Sequence, residues 1–313
     1  MKITQIVIPV RPQPDTILAI YILRKFGEKK YPGVETAKIT INPNPEVIIS
    51  QNQPGEILCL DCAGGTFDHH EKQTTASGLV ANDLGIGHDP SFSKLLRYAE
   101  RDDKFGLGTI SKDQIDRTFG LSGLIYSLNR RYPDEPEKVI DCIIPLIDSH
   151  YLEEAHRIHE LPEIYNNLVK DGKAIEVLVE PNGKKLKAVL VESDNIGLPG
   201  FLRSLAGGNY DIVVQKRSTG HVNILSKSRK EKIPLERLAA LIRGSEYFME
   251  HNEQIKKTFA ELSVPARIPE VPNWYFDKAT NSIQNGGVHT DLTPATKIPW
   301  SDFTKITKMA FEK

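Results

Sequence analysis

Twice within its first seventy residues the chain runs a short apolar, strand-like segment into an aspartate: residues 3–10 lead to Asp15, and residues 56–60 end on Asp61. Residues 15–26 carry apolar side chains at helical spacing behind the Pro-rich stretch Arg11-Pro12-Gln13-Pro14, which reads as a helix start. Strand followed by helix, repeated, limits the first third to a mainly parallel sheet covered by helices. In open sheets of that kind, binding sites form outside the carboxyl ends of the strands, and this chain puts an acid there twice.

The rest of the chain extends the pattern and then changes it. Residues 34–41 read as a strand, and residues 77–84 and 92–101 as helices. Residues 118–171 are mostly helical, with a break near Pro133 and Pro136. Beyond them, strands are expected at 174–179 and 186–192, joined by the hairpin signal Pro181-Asn182-Gly183, and again at 211–215 and 221–225. Helices at 235–242 and 300–311 follow. A chain of 313 residues supports two cores. The expected layout is an α/β amino-terminal domain (1–115), a helical bridge (116–171) and a smaller α+β carboxy-terminal domain (172–313). The last would close over a cleft through which substrate enters.

Lys and Arg number 40 against 41 Asp and Glu, so no global field draws the chain to nucleic acid or to a membrane. No apolar run approaches the ~20 residues of a membrane span. The first ten residues alternate like a strand and lack the cleavage site of a secretion signal. Three cysteines argue for a reducing compartment, and the expectation is a soluble, cytoplasmic protein with no membrane partner. Cys59 and Cys62 form a C-x-x-C, but residues three apart in extended backbone face opposite ways, so these thiols are expected to diverge.

The chemistry gathers around the two strand-terminal acids. Gly64 and Gly65 follow Asp61 and permit close backbone approach, and Asp68-His69-His70 adds two imidazoles a few residues on. Asp102 and Asp103 supply a further carboxylate at a helix end. Each feature has a plain explanation as turn former, cap or solvated face. Their ordered combination matches the carboxylate and imidazole donors that hard divalent cations take.

Thr66-Phe67-Asp68-His69-His70 resembles the motif that names the DHH phosphoesterase superfamily. Leu60-Asp61 resembles the family's preceding single-aspartate motif, Asp15 before Ile17-Leu18-Ala19 the second aspartate of its first motif, and Asp102 or Asp103 its fourth. The resemblance implies two manganese or magnesium ions activating water for attack on phosphorus. This chain departs from that pattern where the first motif's histidine and first aspartate would stand, because those positions hold Pro9 and Gln13. The remaining ligands, Asp15, Asp61, His69 and Asp102 or Asp103, correspond to a single Mn2+ or Mg2+ position. Asp68, His70 and Arg11 are then the candidate catalytic groups, with Arg11 lending positive charge where the other ion would sit. The function implied is metal-dependent hydrolysis of a phosphoester or phosphoanhydride in a nucleotide or short oligonucleotide. The alternative is a catalytically degenerate scaffold that binds nucleotide, nucleic acid or a protein.

Weaker signals lie further on. Asn285-Gly286-Gly287-Val288-His289 resembles the family's glycine-rich histidine loop, making Gly286, Gly287 and His289 candidate substrate contacts. Lys227, Arg229, Lys230 and Lys232 form a basic cluster that reads as a solvated loop, with Arg229 its candidate phosphate contact. His150, His156 and His159 fall in a stretch patterned as an amphipathic surface helix. Trp274-Tyr275-Phe276 reads as packing rather than base stacking.

Overall fold

The computed structural model describes residues 2–41, 56–62, 65–70, 72–106, 112–181, 184–228, 231–286 and 292–311. It divides into two compact units, Met1–Ile158 and His159–Lys313.

In the first unit, strands β1 (Gln5–Ile8), β2 (Lys38–Ile41) and β3 (Ile57–Cys59) pair in parallel in the order β2-β1-β3, with Val7 beside both Thr40 and Cys59. Parallel neighbours end on the same edge, which brings the segments after β1 and β3 together. Helix α1 (Pro14–Phe26) starts on proline, whose missing N–H costs nothing in a first turn. Ten consecutive residues of α1, from Pro14 to Leu23, are buried. A helix apolar on all sides must be enclosed. Helices α2 (Ala76–Asp83) and α3 (Ser93–Phe105) pack against it. The segment read as a strand from residue 34 begins instead with a 3-10 turn, Val34–Thr36. Gly33, at φ 91°, bends the chain there, and extended pairing starts only at Lys38.

The expected helical stretch comprises α4 (Gln114–Phe119), α5 (Leu121–Arg131), α6 (Pro136–Ala155), a π-helical turn His156–Glu160 and α7 (Leu161–Lys170). Its members belong to different units. Ile125 of α5 and Val139, Ile140, Ile143 and Ile147 of α6 join the first unit's core, whereas Leu161 of α7 joins Val189 and Val191 in the second. The π-helical turn, which holds His156 and His159, interrupts the single amphipathic helix read there. Glu154 just before it is buried, 2.7 Å from Lys94 Nζ.

The second unit is built on a mixed sheet of β4 (Ala174–Val179), β5 (Leu186–Glu192), β6 (Ile212–Lys216), β7 (Val222–Ser226), β8 (Ala266–Ile268), β9 (Val271–Asp277) and β10 (Ser282–Asn285). Their order is β4-β5-β6-β7-β10-β9-β8, and only β5 and β6 pair in parallel. The central strands are apolar on both faces because both are covered. Leu186, Ala188 and Leu190 of β5 pack in one cluster with α9 (Glu236–His251) and α11 (Trp300–Phe311). Val189 and Val191 pack in another with α7 and α8 (Leu198–Arg203). A short helix, α10 (Phe259–Leu262), precedes β8. On β9, Trp274 and Phe276 are buried and Tyr275 is exposed, so the aromatic triplet is mostly packing. No helix among the described residues is long and apolar enough to cross a membrane.

Candidate metal centre

Asp15 stands in the first turn of α1, beyond β1, and Asp61 lies two residues past β3. The parallel pairing of β1 with β3 therefore delivers both carboxylates to one edge. After β3 the chain does not run straight on. Leu60 donates its N–H to Val7 O (2.9 Å) and bridges to Phe67, and Asp61 adopts φ 56°, a left-handed conformation for a side-chain-bearing residue. The turn brings His69 back so that its Nε2 lies 2.9 Å from Asp61 Oδ1 and 3.8 Å from Asp15 Oδ2. One ligand atom from each of Asp15, Asp61 and His69 falls within 4.8 Å of the others.

That same turn overturns the expectation for the cysteines. Cys59 ends the strand and Cys62 lies beyond the bend at Asp61, so the thiols interact with one another instead of diverging. Their interaction lowers Cys59 to about 7 and pushes Cys62 up, and Cys62 Sγ also lies 3.7 Å from Val7 O. Gly65 is required here, because a Cβ at that position would stand 2.9 Å from Cys59 Cβ.

The carboxylates differ in how far the protein satisfies them. Asp15 is buried and accepts three bonds at the start of α2: from Ala76 N (2.8 Å), Ser77 N (2.9 Å) and Ser77 Oγ (2.5 Å). A carboxylate offers about four acceptor positions, so roughly one stays open. Asp61 accepts from Thr16 Oγ1 at 2.9 Å. Burial raises the Asp61 carboxyl, the Thr16 bond opposes this, and the charge of Asp15 adds to it. Asp103 Oδ1 lies 3.7 Å from His69 Nε2. Asp102 is only 7% exposed, and burial raises its carboxyl against a hydrogen bond from Ser122. Its Oδ1 has no hydrogen-bond partner.

These residues fit a hard divalent ion on two counts. Two carboxylates and an imidazole form the appropriate donor set. Burial raises the Asp61 and Asp102 carboxyls, and Asp102 Oδ1 is orphaned, a buried excess of acceptors that a cation would relieve.

The other expected residues arrange themselves around this cluster. The exposed ring of His70 stacks on His69, with centroids 5.2 Å apart at 19°, and its Nδ1 is 2.6 Å from Asp68 Oδ1. That bond raises the His70 pKa, so Asp68 serves His70 directly. Arg11 and Gln13 line a cavity of about 470 Å3 with Asp102, Asp103 and Gly106. Sequence reading missed the rest of its lining, Ser122, Ile125, Tyr126, Asn129 and Arg130 of α5, which carries no motif. Gly286 closes β10 at φ 89°, whereas Gly287, His289 and Arg229 lie outside the described residues. Lys227 bonds Asn209, and Lys232 bonds the carbonyls of Lys278 and Ala279, so these two members of the basic cluster are tied down.

No protein-family model matches this chain, and no curated protein matches it. Among solved structures, an uncharacterized protein from Helicobacter pylori G27 aligns over 98% of this chain and 99% of its own at 11% identity, with a TM-score of 0.26. A likeness of that size carries no argument about fold or function.

Proposed function

We propose that this protein is a metal-dependent phosphoesterase of the DHH type that works with one Mn2+ or Mg2+. The observation that carries the reading is the convergence of Asp15, Asp61 and His69, from three separate segments, within 4.8 Å at the carboxyl edge of a parallel sheet. Asp103, 3.7 Å from His69, is the better placed of the two candidate fourth ligands. Asp102, buried, adds negative charge felt by Asp103 and Asp15. A divalent ion bound there supplies Lewis acidity toward a phosphoryl oxygen and an activated water. His70, oriented by Asp68 through Nδ1, keeps Nε2 available to pass a proton to a leaving oxygen. Arg11 supplies fixed positive charge on the side where the degenerate first motif lacks ligands. The substrate is a nucleotide or short oligonucleotide, and the three free cysteines fit a cytoplasmic setting.

A second reading has its own observation. Three of the acceptor positions of Asp15 are already used in holding α2, which suits a scaffold that has kept the fold and binds nucleotide, nucleic acid or protein without turnover. The two part on one experiment: metal per chain after incubation with Mn2+ and gel filtration, followed by hydrolysis of bis(p-nitrophenyl) phosphate and short oligonucleotides. The enzyme takes up about one ion and turns over, and Arg11→Ala loses turnover at unchanged metal content. Uptake without hydrolysis across that panel selects the scaffold, and no uptake removes both.

A further inference from the structure

The cavity beside the metal cluster is lined by side chains of both signs: Asp102 and Asp103, and with them Arg11, from the loop before α1, and Arg130, from the last turn of α5. Neither guanidinium is ion-paired with a described residue. Arg130 lies over the Tyr126 ring at 5.9 Å, and both arginines are exposed. The two segments are fixed to one another, because Asn129 Nδ2, buried, donates to Pro12 O at 2.9 Å across 117 residues of sequence. The backbone segments that carry Arg11 and Arg130 are therefore held together by the fold. Among the acids, the buried Asp102 leaves Oδ1 without a partner.

A cavity lined both by spare acceptors and by spare fork-shaped donors suits neither a lone anion nor a lone cation. It suits a cation and an oxyanion bound together. We propose that Arg11 and Arg130 form a phosphate-binding subsite that takes a phosphate shared with the metal, and that Arg130 is a specificity-determining residue of this site. The inference rests on the metal reading above, but it adds a residue, Arg130, that the ligand cluster does not include. The guanidinium fork matches two phosphate oxygens at once, and the Tyr126 ring holds the Arg130 fork at the cavity rim. Because binding free energies are reciprocal, metal should tighten phosphate by the same factor by which phosphate tightens metal.

The test is calorimetric titration of inorganic phosphate into the full chain, with and without saturating Mn2+. Wild-type protein, Arg130→Gln, Arg130→Lys and Asp61→Asn are compared. Phosphate affinity should rise with Mn2+ in the wild type and fall about tenfold or more in Arg130→Gln, the loss of one charge-assisted hydrogen-bonded pair. Arg130→Lys, which keeps the charge and drops the fork, should lie between them, and Mn2+ content should be unchanged in both arginine variants. Asp61→Asn should lose the Mn2+ enhancement and keep the arginine-dependent part. Phosphate binding equal in wild type and Arg130→Gln overturns the subsite, and so does absence of phosphate binding to the wild type. If the wild type takes up no Mn2+ yet Arg130→Gln still weakens phosphate, the metal reading fails and the arginine subsite stands.

Discussion

Each unit of this protein buries carboxylate, and the two do so in opposite ways. In the second unit Glu246, 1% exposed, accepts hydrogen bonds from Asn273 Nδ2 (2.9 Å), Trp274 Nε1 (3.0 Å), Lys297 N (2.9 Å) and Thr296 Oγ1. Four donors meet about four acceptor positions, and nothing is left over. In the first unit Asp15, Asp61 and Asp103 gather around His69, with Asp102 next to Asp103 in sequence leaving an acceptor orphaned, and the carboxyls of Asp61 and Asp102 are raised by burial. A saturated carboxylate is a fastening between β9, α9 and the segment before α11. An under-satisfied group of them carries a cost that a bound cation would remove, which is what the proposed site requires.

The sharpest way to break this contrast is to delete one member of each. Glu246→Ala strands buried donors on Asn273, Trp274 and Lys297 and should destabilise the protein by about 3–4 kcal/mol, read by urea denaturation, with Mn2+ uptake per folded chain unchanged. The first unit should respond to ligand instead. Mn2+ at a hundred times its dissociation constant should stabilise the wild type by about 2.7 kcal/mol, and chelation should reverse this. Asp61→Asn should abolish the gain without weakening the metal-free protein, since the amide removes a buried charge. If Asp61→Asn destabilised the chelated protein as much as Glu246→Ala does the whole, the cluster would be a fastening too, and the proposed site would lose its basis.

What could be read beforehand follows from how local each feature is. Asp15 and Asp61 were legible because their positions depend on two strand ends and on the rule that parallel neighbours finish together. His69 was legible through its place in Asp68-His69-His70. The meeting of Cys59 with Cys62 was not, because it hangs on Asp61 adopting φ 56° while the glycines that advertise a turn, Gly64 and Gly65, come later. Val34 and Thr36, β-branched and strand-like in composition, yield to the bend at Gly33. Tyr126, Asn129 and Arg130 were invisible for a further reason. Their part in the cavity depends on how α5 is turned against a loop more than a hundred residues earlier, a matter settled by packing of Ile125 into the core and by the bond from Asn129 to Pro12.

Smaller effects refine the comparison. Ser77→Ala removes the 2.5 Å bond to Asp15 Oδ1 and should cost about 1 kcal/mol. It should also free an acceptor position on Asp15, so that Mn2+ binds no more weakly than in wild type if Asp15 is a ligand. A clear loss of metal would mean that Ser77 orients the carboxylate more than it competes for it.

The smallest effect expected comes from a carboxylate in neither class. Asp148 on α6 lies at the surface against α1, held by Lys25 and by Tyr21 OH at 2.8 Å, and chiefly the Lys25 bond keeps its carboxyl below the ordinary value. A carboxyl whose folded pKa is depressed stabilises the fold above its unfolded pKa of about 3.9. That contribution is lost as pH falls through the folded value. With its side chain 35% exposed, solvent screens most of the pair, and the contribution is a fraction of a kcal/mol. Asp148→Asn should therefore flatten the acid limb of stability slightly between about pH 5 and 3 and change nothing at neutral pH in metal uptake. A loss of Mn2+ binding in this variant would show that surface charge alone moves the cluster, and would remove the distinction between a site built from unsatisfied acceptors and the field around it.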